Sequence, residues 1–284
     1  MRTTVIAARR RGEARRLAAA TTLIAPGAMA DVIHVLEDEG EESYVYGRAT
    51  VDAAVEHLRA HRHAAFGHVQ HALDRPVAEC LAEEAASRHA DLLVMGSRGL
   101  SRAQSVLRSS VSHGLLARSD QAALVVPDQA PIPTRGVTRV LAAIGDVEDE
   151  QPVVAAIAAL PATPEVLLVH VRRPLTVRSG TPAGIYVEVP ETSADLLAGP
   201  ERTLRRRRVK VSASYLDGTG GVAEQVAAAA RERGADLIVV ASRRPGRWSA
   251  LLGGSTGHGV IHHADRMVLL APSAAGAERP RPPA

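Results

Sequence analysis

The chain has 284 residues, 46% of them apolar and 23% charged, a balance that supplies a packed core and excludes a mostly disordered polymer. No uninterrupted apolar run approaches the roughly 20 residues that a membrane-spanning helix needs, and a single cysteine, Cys80, excludes an intramolecular disulfide framework and a cysteine-rich zinc module. The formal net charge is +3, carried almost wholly by arginine because Lys210 is the one lysine, and only 2% of residues are aromatic. Few stacking platforms are left for single-stranded nucleic acid, so neither a membrane nor a nucleic acid is an expected partner.

Thr3 to Ala8 reads as a short apolar strand and Glu13 to Ile24 as a helix. The arginines before Leu17 and the Ala28-Met-Ala30 triplet loosely resemble a signal peptide, but Pro26, Gly27 and two threonines break the apolar tract, so strand and helix are expected. Ala30 to Leu36 is a strand. Ala49 to Arg62 has Val51, Ala54, Val55 and Leu58 at helical spacing. Ala65 to Leu73 is a strand, and Pro76 to His89 a helix with proline at its start. Asp91 to Met95 is a continuous apolar run of the kind found in a fully buried parallel strand. A loop leads to a short helix near Ser110 to Arg118, and Ala122 to Val126 closes the set.

The chain then repeats itself. At a shift of 145 positions, Val77 to Pro127 falls on Val222 to Pro272 without a gap, matching Asp91 with Asp236, Arg98 with Arg243, His113 with His258 and Gly114 with Gly259. The front of each half matches at a shift of 136, where Ile33-His-Val35 meets Val169-His-Val171. The difference places an insertion in the second half, best assigned to the Pro-, Gly- and Thr-rich stretch from Pro174 to Pro200. The second set of elements is Arg139 to Ile144, Glu148 to Leu160, Glu165 to Val171, Asp195 to Arg206, Lys210 to Leu216, Val222 to Arg233, Asp236 to Val240 and Met267 to Leu270. We therefore expect a domain over residues 1–127, a linker over 128–136, a second domain over 137–272 and a disordered Pro- and Arg-rich tail over 273–284. Alternating strands and helices imply a parallel sheet covered on both faces, with ligands at the carboxyl ends of the strands.

The most informative segment is Met95-Gly-Ser-Arg-Gly99, then ten residues, then Ser110-Val-Ser-His-Gly114. Gly96 and Gly99 are expected to allow left-handed backbone and close approach of a ligand. Ser110 stands where a helix N-cap belongs, and exposed amides at a helix start make an anion site. With the Leu-Val-Val-Pro that follows and the His-Val pairs at His34 and His170, this segment resembles the signature of the universal stress protein family. The likeness spans both halves. It implies two tandem flavodoxin-like α/β domains, each a five-stranded parallel sheet with helices on both faces. It also implies a cytoplasmic stress-response role, and a pairing of last strands that either joins the two halves as a pseudo-dimer or joins two chains as a homodimer.

The ATP-binding branch of that family resembles G-x2-G-x9-G-[ST], with an acid closing the first strand. Here the third glycine of the first half is Ser109, and the second half has Ala241 and Arg244 at the first two glycine positions while keeping Gly254 and Ser255. The acidic position falls on Arg9 and Gly145, with Asp146 one residue late. The better candidate site is in the first half, through Val35, Met95, Gly96, Arg98, Gly99, Ser109, Ser110 and Val111; the second half offers Gly254, Ser255 and Thr256. The expected ligand is an adenine nucleotide such as ATP, with magnesium left open. The alternative is an interaction module without nucleotide, acting on a protein partner the sequence does not identify. No catalytic set is present in the sequence pattern, so no enzyme activity is expected. His57 and His61 lack a third ligand at metal-binding spacing, Cys80 reads as packing, and Arg205 to Arg208 as a solvated helix end. Trp248 reads as a cover for a ligand or an interface.

Overall fold

The structure, a computed structural model, describes residues 1–97, 111–172, 175–178, 186–189, 195–217, 220–242 and 256–272. The first half runs β1 (Thr3–Ala7), α1 (Arg11–Ile24), β2 (Met29–Leu36), α2 (Glu41–Ala60), β3 (Ala65–His71), α3 (Val77–Ser87), β4 (Leu92–Ser97), α4 (Val111–Arg118) and β5 (Ala122–Pro127). The second runs β6 (Arg139–Ala143), α5 (Glu150–Ala158), β7 (Glu165–Arg172), β8 (Leu175–Arg178), β9 (Tyr186–Val189), α6 (Ala198–Arg206), β10 (Val211–Asp217), α7 (Val222–Glu232), β11 (Leu237–Ser242), α8 (Thr256–His263) and β12 (Met267–Pro272).

Within each half the strand order is third, second, first, fourth, fifth, all parallel, which is the doubly wound α/β class expected. The apolar run of β4 shows why: a strand buried on both faces has no polar side to spare. Leu92 and Val94 join the core beneath α1 and α2, whereas Leu93 and Met95 join the core beneath α3 and α4. The two halves meet where β5 pairs antiparallel with β12, Leu124 opposite Leu269 and Val125 opposite Val268, all four fully buried. One sheet of ten strands results, in the order β10-β7-β6-β11-β12-β5-β4-β1-β2-β3. Each of its faces carries one core that runs through both halves.

The residues that recur at the 145-residue shift have structural work to do. Asp91 accepts hydrogen bonds from the backbone amides of Arg2 and Thr3, and Asp236 from those of Thr138 and Arg139, so each acid ties the start of the first strand to the start of the fourth. Those amide bonds hold the Asp91 carboxyl below its ordinary range. A Cβ on Gly114 would come within 2.9 Å of the Ala78 Cβ, and one on Gly259 within 2.6 Å of the Ala223 Cβ. The repeated glycine is thus the close-approach point of α4 on α3 and of α8 on α7. The segment after β5 is docked: Arg16 donates to the carbonyls of Pro127 and Ala130, Arg10 pairs with Asp128 at 3.0 Å, and Ala130 is buried.

Some boundaries differ from expectation. Helix α2 starts eight residues before Ala49, at Glu41. Tyr44, Val45 and Tyr46 are all exposed there, so its first turns show no apolar stripe, while Glu41 and Glu42 complement the helix dipole. Pro76 is the N-cap of α3 and not its first helical residue. The inserted stretch in the second half contains an antiparallel hairpin, Leu175 opposite Val189, and α6 begins at Ala198. No described helix is long and apolar enough to cross a membrane. The 273–284 tail lies outside the described residues.

Leu124→Ala, at the seam, opens a cavity shared by both halves and should cost about 2–5 kcal/mol. Urea unfolding followed by far-UV circular dichroism should show one displaced transition, since Leu124 belongs to a core that spans both halves.

Candidate functional site

In each half the sheet changes direction between its first and fourth strands, β1 with β4 and β6 with β11. The carboxyl ends there open a crevice. Antiparallel pairing of β5 and β12 points the carboxyl ends of the two halves' strands in opposite directions.

The first crevice gathers part of the expected set. Val35 is the next-to-last residue of β2, Met95 and Gly96 are the last residues of β4 before Ser97, and Val111 opens α4. Met95 is buried in the core beneath α3 and α4, so it offers that crevice backbone and not side chain. The Ser112 hydroxyl donates to the Gly96 carbonyl at 2.8 Å and sets the start of α4 over the end of β4. Arg98, Gly99, Ser109, Ser110, Gly254 and Ser255 lie outside the described residues, as does Trp248. Thr256 opens α8, but its side chain is outside the description, as are those of His113 and His258.

Gly96 is a glycine for a different reason than expected. It is a strand residue and does not have a positive φ. A Cβ there would land on the carboxylate of Glu13. That side chain, 8% exposed, also accepts from the Arg9 backbone amide at 3.3 Å and lies 3.6 Å from the Arg9 guanidinium. The second half repeats the device. Asp149, likewise 8% exposed, accepts from the backbone amide of Gly145 at 2.8 Å and from that of Asp146 at 3.2 Å. Burial, with Glu148 nearby, pushes the Asp149 carboxyl up, against the opposing pull of the Gly145 hydrogen bond.

Three positions differ together between the halves. Where Arg9 follows the first strand, the acid is the longer Glu13 and reaches over Gly96; where Gly145 follows it, the acid is the shorter Asp149 and the fourth strand carries Ala241. A Cβ on Gly145 would come within 2.9 Å of the Asp149 carboxylate. Neither acid closes its strand, so the family's strand-closing pattern does not mark them; the signal that does is the 136-residue shift, which superposes Glu13 on Asp149. Asp146, one residue after the strand-closing position, is occupied in capping, accepting from the Glu148 amide at 2.9 Å.

The paired histidines are structural anchors. His34 Nδ1 meets the Ala8 carbonyl at 2.8 Å, and His170 Nδ1 meets the Ile144 carbonyl at 2.8 Å. A carbonyl only accepts, so each Nδ1 carries the proton. Elsewhere, the rings of His57 and His61 stack at 4.3 Å and His61 Nδ1 bonds the His57 carbonyl. Among the described residues no group of three or more His, Cys, Asp or Glu is arranged to hold a metal ion. Cys80 is buried with its thiol toward the Ala72 carbonyl, and Arg205 to Arg208 are exposed, Arg205 pairing with Glu201.

The universal stress protein family model matches residues 5–127 and again 136–272. No curated protein sequence matches the chain. Among solved structures, a universal stress protein from Archaeoglobus fulgidus is similar at 17% identity and a TM-score of 0.71, covering 95% of this chain and 96% of that one. A universal stress protein described as putative, from Pseudomonas aeruginosa, aligns at 12% identity and a TM-score of 0.59 over 95% and 93% of the two chains. The cytoplasmic domain of a prokaryotic cation chloride cotransporter aligns at 9% identity and a TM-score of 0.55 over 97% and 96%. At these identities the likeness is one of fold.

Gly96→Ala should destabilise by about 1–3 kcal/mol through overpacking against Glu13. Adding Glu13→Asp and Arg9→Gly, which copies the second half's solution, should recover more than half of that loss in urea unfolding. A second expectation concerns pH. Because the folded-state Asp149 carboxyl titrates above its unfolded value, it favours folding most when protonated, and that benefit fades as pH rises from the unfolded value through the folded one. The stability of Asp149→Asn relative to wild type should therefore increase with pH over that window, measured by urea unfolding at matched ionic strength.

Proposed function

Because the chain belongs to the universal stress protein family, with one of its domains in each half, we propose that this stress-response protein is a regulator whose first half binds an adenine nucleotide, ATP or AMP. The observation that supports it is the arrangement at the β1–β4 crevice. Val35, Gly96 and the start of α4 converge there, and the Ser112 hydroxyl bond to the Gly96 carbonyl aims the first turn of α4 at the strand end. Helix starts present unpaired amides to an anion, which suits the phosphates. The Glu13 carboxylate suits a ribose hydroxyl or an exocyclic amine, both of them donors. The role is binding and signalling without turnover, and we place it in the cytoplasm. Binding would alter the surface around α4 and so the affinity for a protein partner.

One observation favours a second reading, an interaction module that takes no nucleotide. The buried Glu13 carboxylate already covers Gly96 and would repel a phosphate brought against that backbone.

Thermal unfolding with ATP, ADP and AMP, each with magnesium, separates the two. At a hundredfold excess over Kd a ligand stabilises by about 2.7 kcal/mol, a Tm shift of roughly 4–5 °C for a chain of this size unfolding as one unit. Gly99→Arg should abolish the shift. No shift at millimolar nucleotide would remove the regulator reading and leave the interaction module.

A further inference from the structure

We infer that the second half carries an oxyanion subsite centred on Arg172, taking the terminal carboxylate or phosphate of a small ligand. It goes beyond the nucleotide reading, which concerns the first half.

Arg172 is the last residue of β7, at the carboxyl end of the strand. Its guanidinium carbon sits 4.1 Å from the centroid of the Tyr215 ring on the neighbouring strand. The same ring meets His170 edge-on, centroids 6.0 Å apart, and its hydroxyl accepts from the Leu197 backbone amide at 3.4 Å. The tyrosine is thus held on two sides, and it holds the arginine plane in turn. Arg172 Nε is shut away from solvent and, among the described residues, has no hydrogen-bond partner. Its register partner on β10, Asp217, is exposed and forms no ion pair with it. A charged group half withdrawn from water ordinarily has a neutralising acid, and a buried donor without an acceptor destabilises the fold. The charge is met when two oxygens of one ligand approach the terminal nitrogens of the guanidinium, a paired geometry that carboxylates and phosphates share.

The first half shows that the fold itself does not require this arrangement. The positions equivalent to Arg172 and Tyr215 are Leu36 and Val69, an apolar pair. His34 and His170, two residues earlier on the same strands, make the same carbonyl contact in both halves. The arginine–tyrosine pair stands only in the second half, on a scaffold that the first half closes without it.

The test follows Tm of the full chain against inorganic phosphate and, separately, acetate at constant ionic strength, for wild type, Arg172→Met, Arg172→Lys and Gly99→Arg. Arg172→Met keeps an unbranched side chain beside Tyr215 and removes the charge. Without added anion it should be at least as stable as wild type, since it deletes an unsatisfied buried donor. The anion response should be at least about tenfold weaker in Arg172→Met, reduced in Arg172→Lys and intact in Gly99→Arg. Whichever anion acts identifies the ligand's terminal group. Equal responses in wild type and Arg172→Met, no response to either anion, or loss of the response in Gly99→Arg would each overturn the inference. So would an Arg172→Met protein less stable than wild type in anion-free buffer, which would make the arginine structural. The nucleotide reading stands or falls separately, on the ATP and AMP shifts of the first half.

Discussion

The antiparallel pairing of β5 with β12 is the constraint from which the rest of the molecule follows. Two parallel sheets pair their last strands and so cover each other's open backbone along that side. An exposed strand of unpaired amides and carbonyls invites association with other chains; here that edge is spent within the chain. The pairing also makes each core continuous from one half to the other. It reverses the strand direction at the seam, so the carboxyl ends of the two halves' strands point in opposite directions.

Beneath that shared frame, each crevice is built around a buried acid. Glu13 and Asp149 bond the backbone amide just after the first strand and fix the turn into the following helix. The space available decides which acid is present. Gly96 leaves room for the longer side chain, and Ala241 accompanies the shorter one. What looked in the second half like a damaged glycine motif is, at this position, a second packing solution to the same problem. The substitution at Ala241 therefore says less about ligand binding than its place in the motif suggests.

The halves differ most at the end of their second strands. Leu36 is buried in the first half, whereas Arg172 lies on the face of Tyr215 in the second. A duplication frees one copy to keep the ancestral geometry while the other changes its chemistry. The hairpin of β8 and β9, present only after β7 among the described residues, adds to that divergence at the same end of the sheet.

Much was determined by the sequence alone. The repeat at 145 and 136 positions marks a duplicated domain, and the apolar run at Leu92 to Met95 marks a doubly covered strand, because periodicity and burial are local properties written into neighbouring residues. The start of α2 was not legible, since Tyr44, Val45 and Tyr46 face solvent and erase the apolar stripe. The reasons behind Gly96, Gly114 and Gly259 were not legible either: each is small because of a residue far away in sequence, Glu13, Ala78 or Ala223. Nor could the sequence choose between pairing within the chain and pairing between chains. Only the tertiary structure seats β12 against β5 and sets Arg172 on Tyr215. Strand neighbours and side-chain contacts across a sheet depend on how distant segments meet, and no local pattern of residues encodes that meeting.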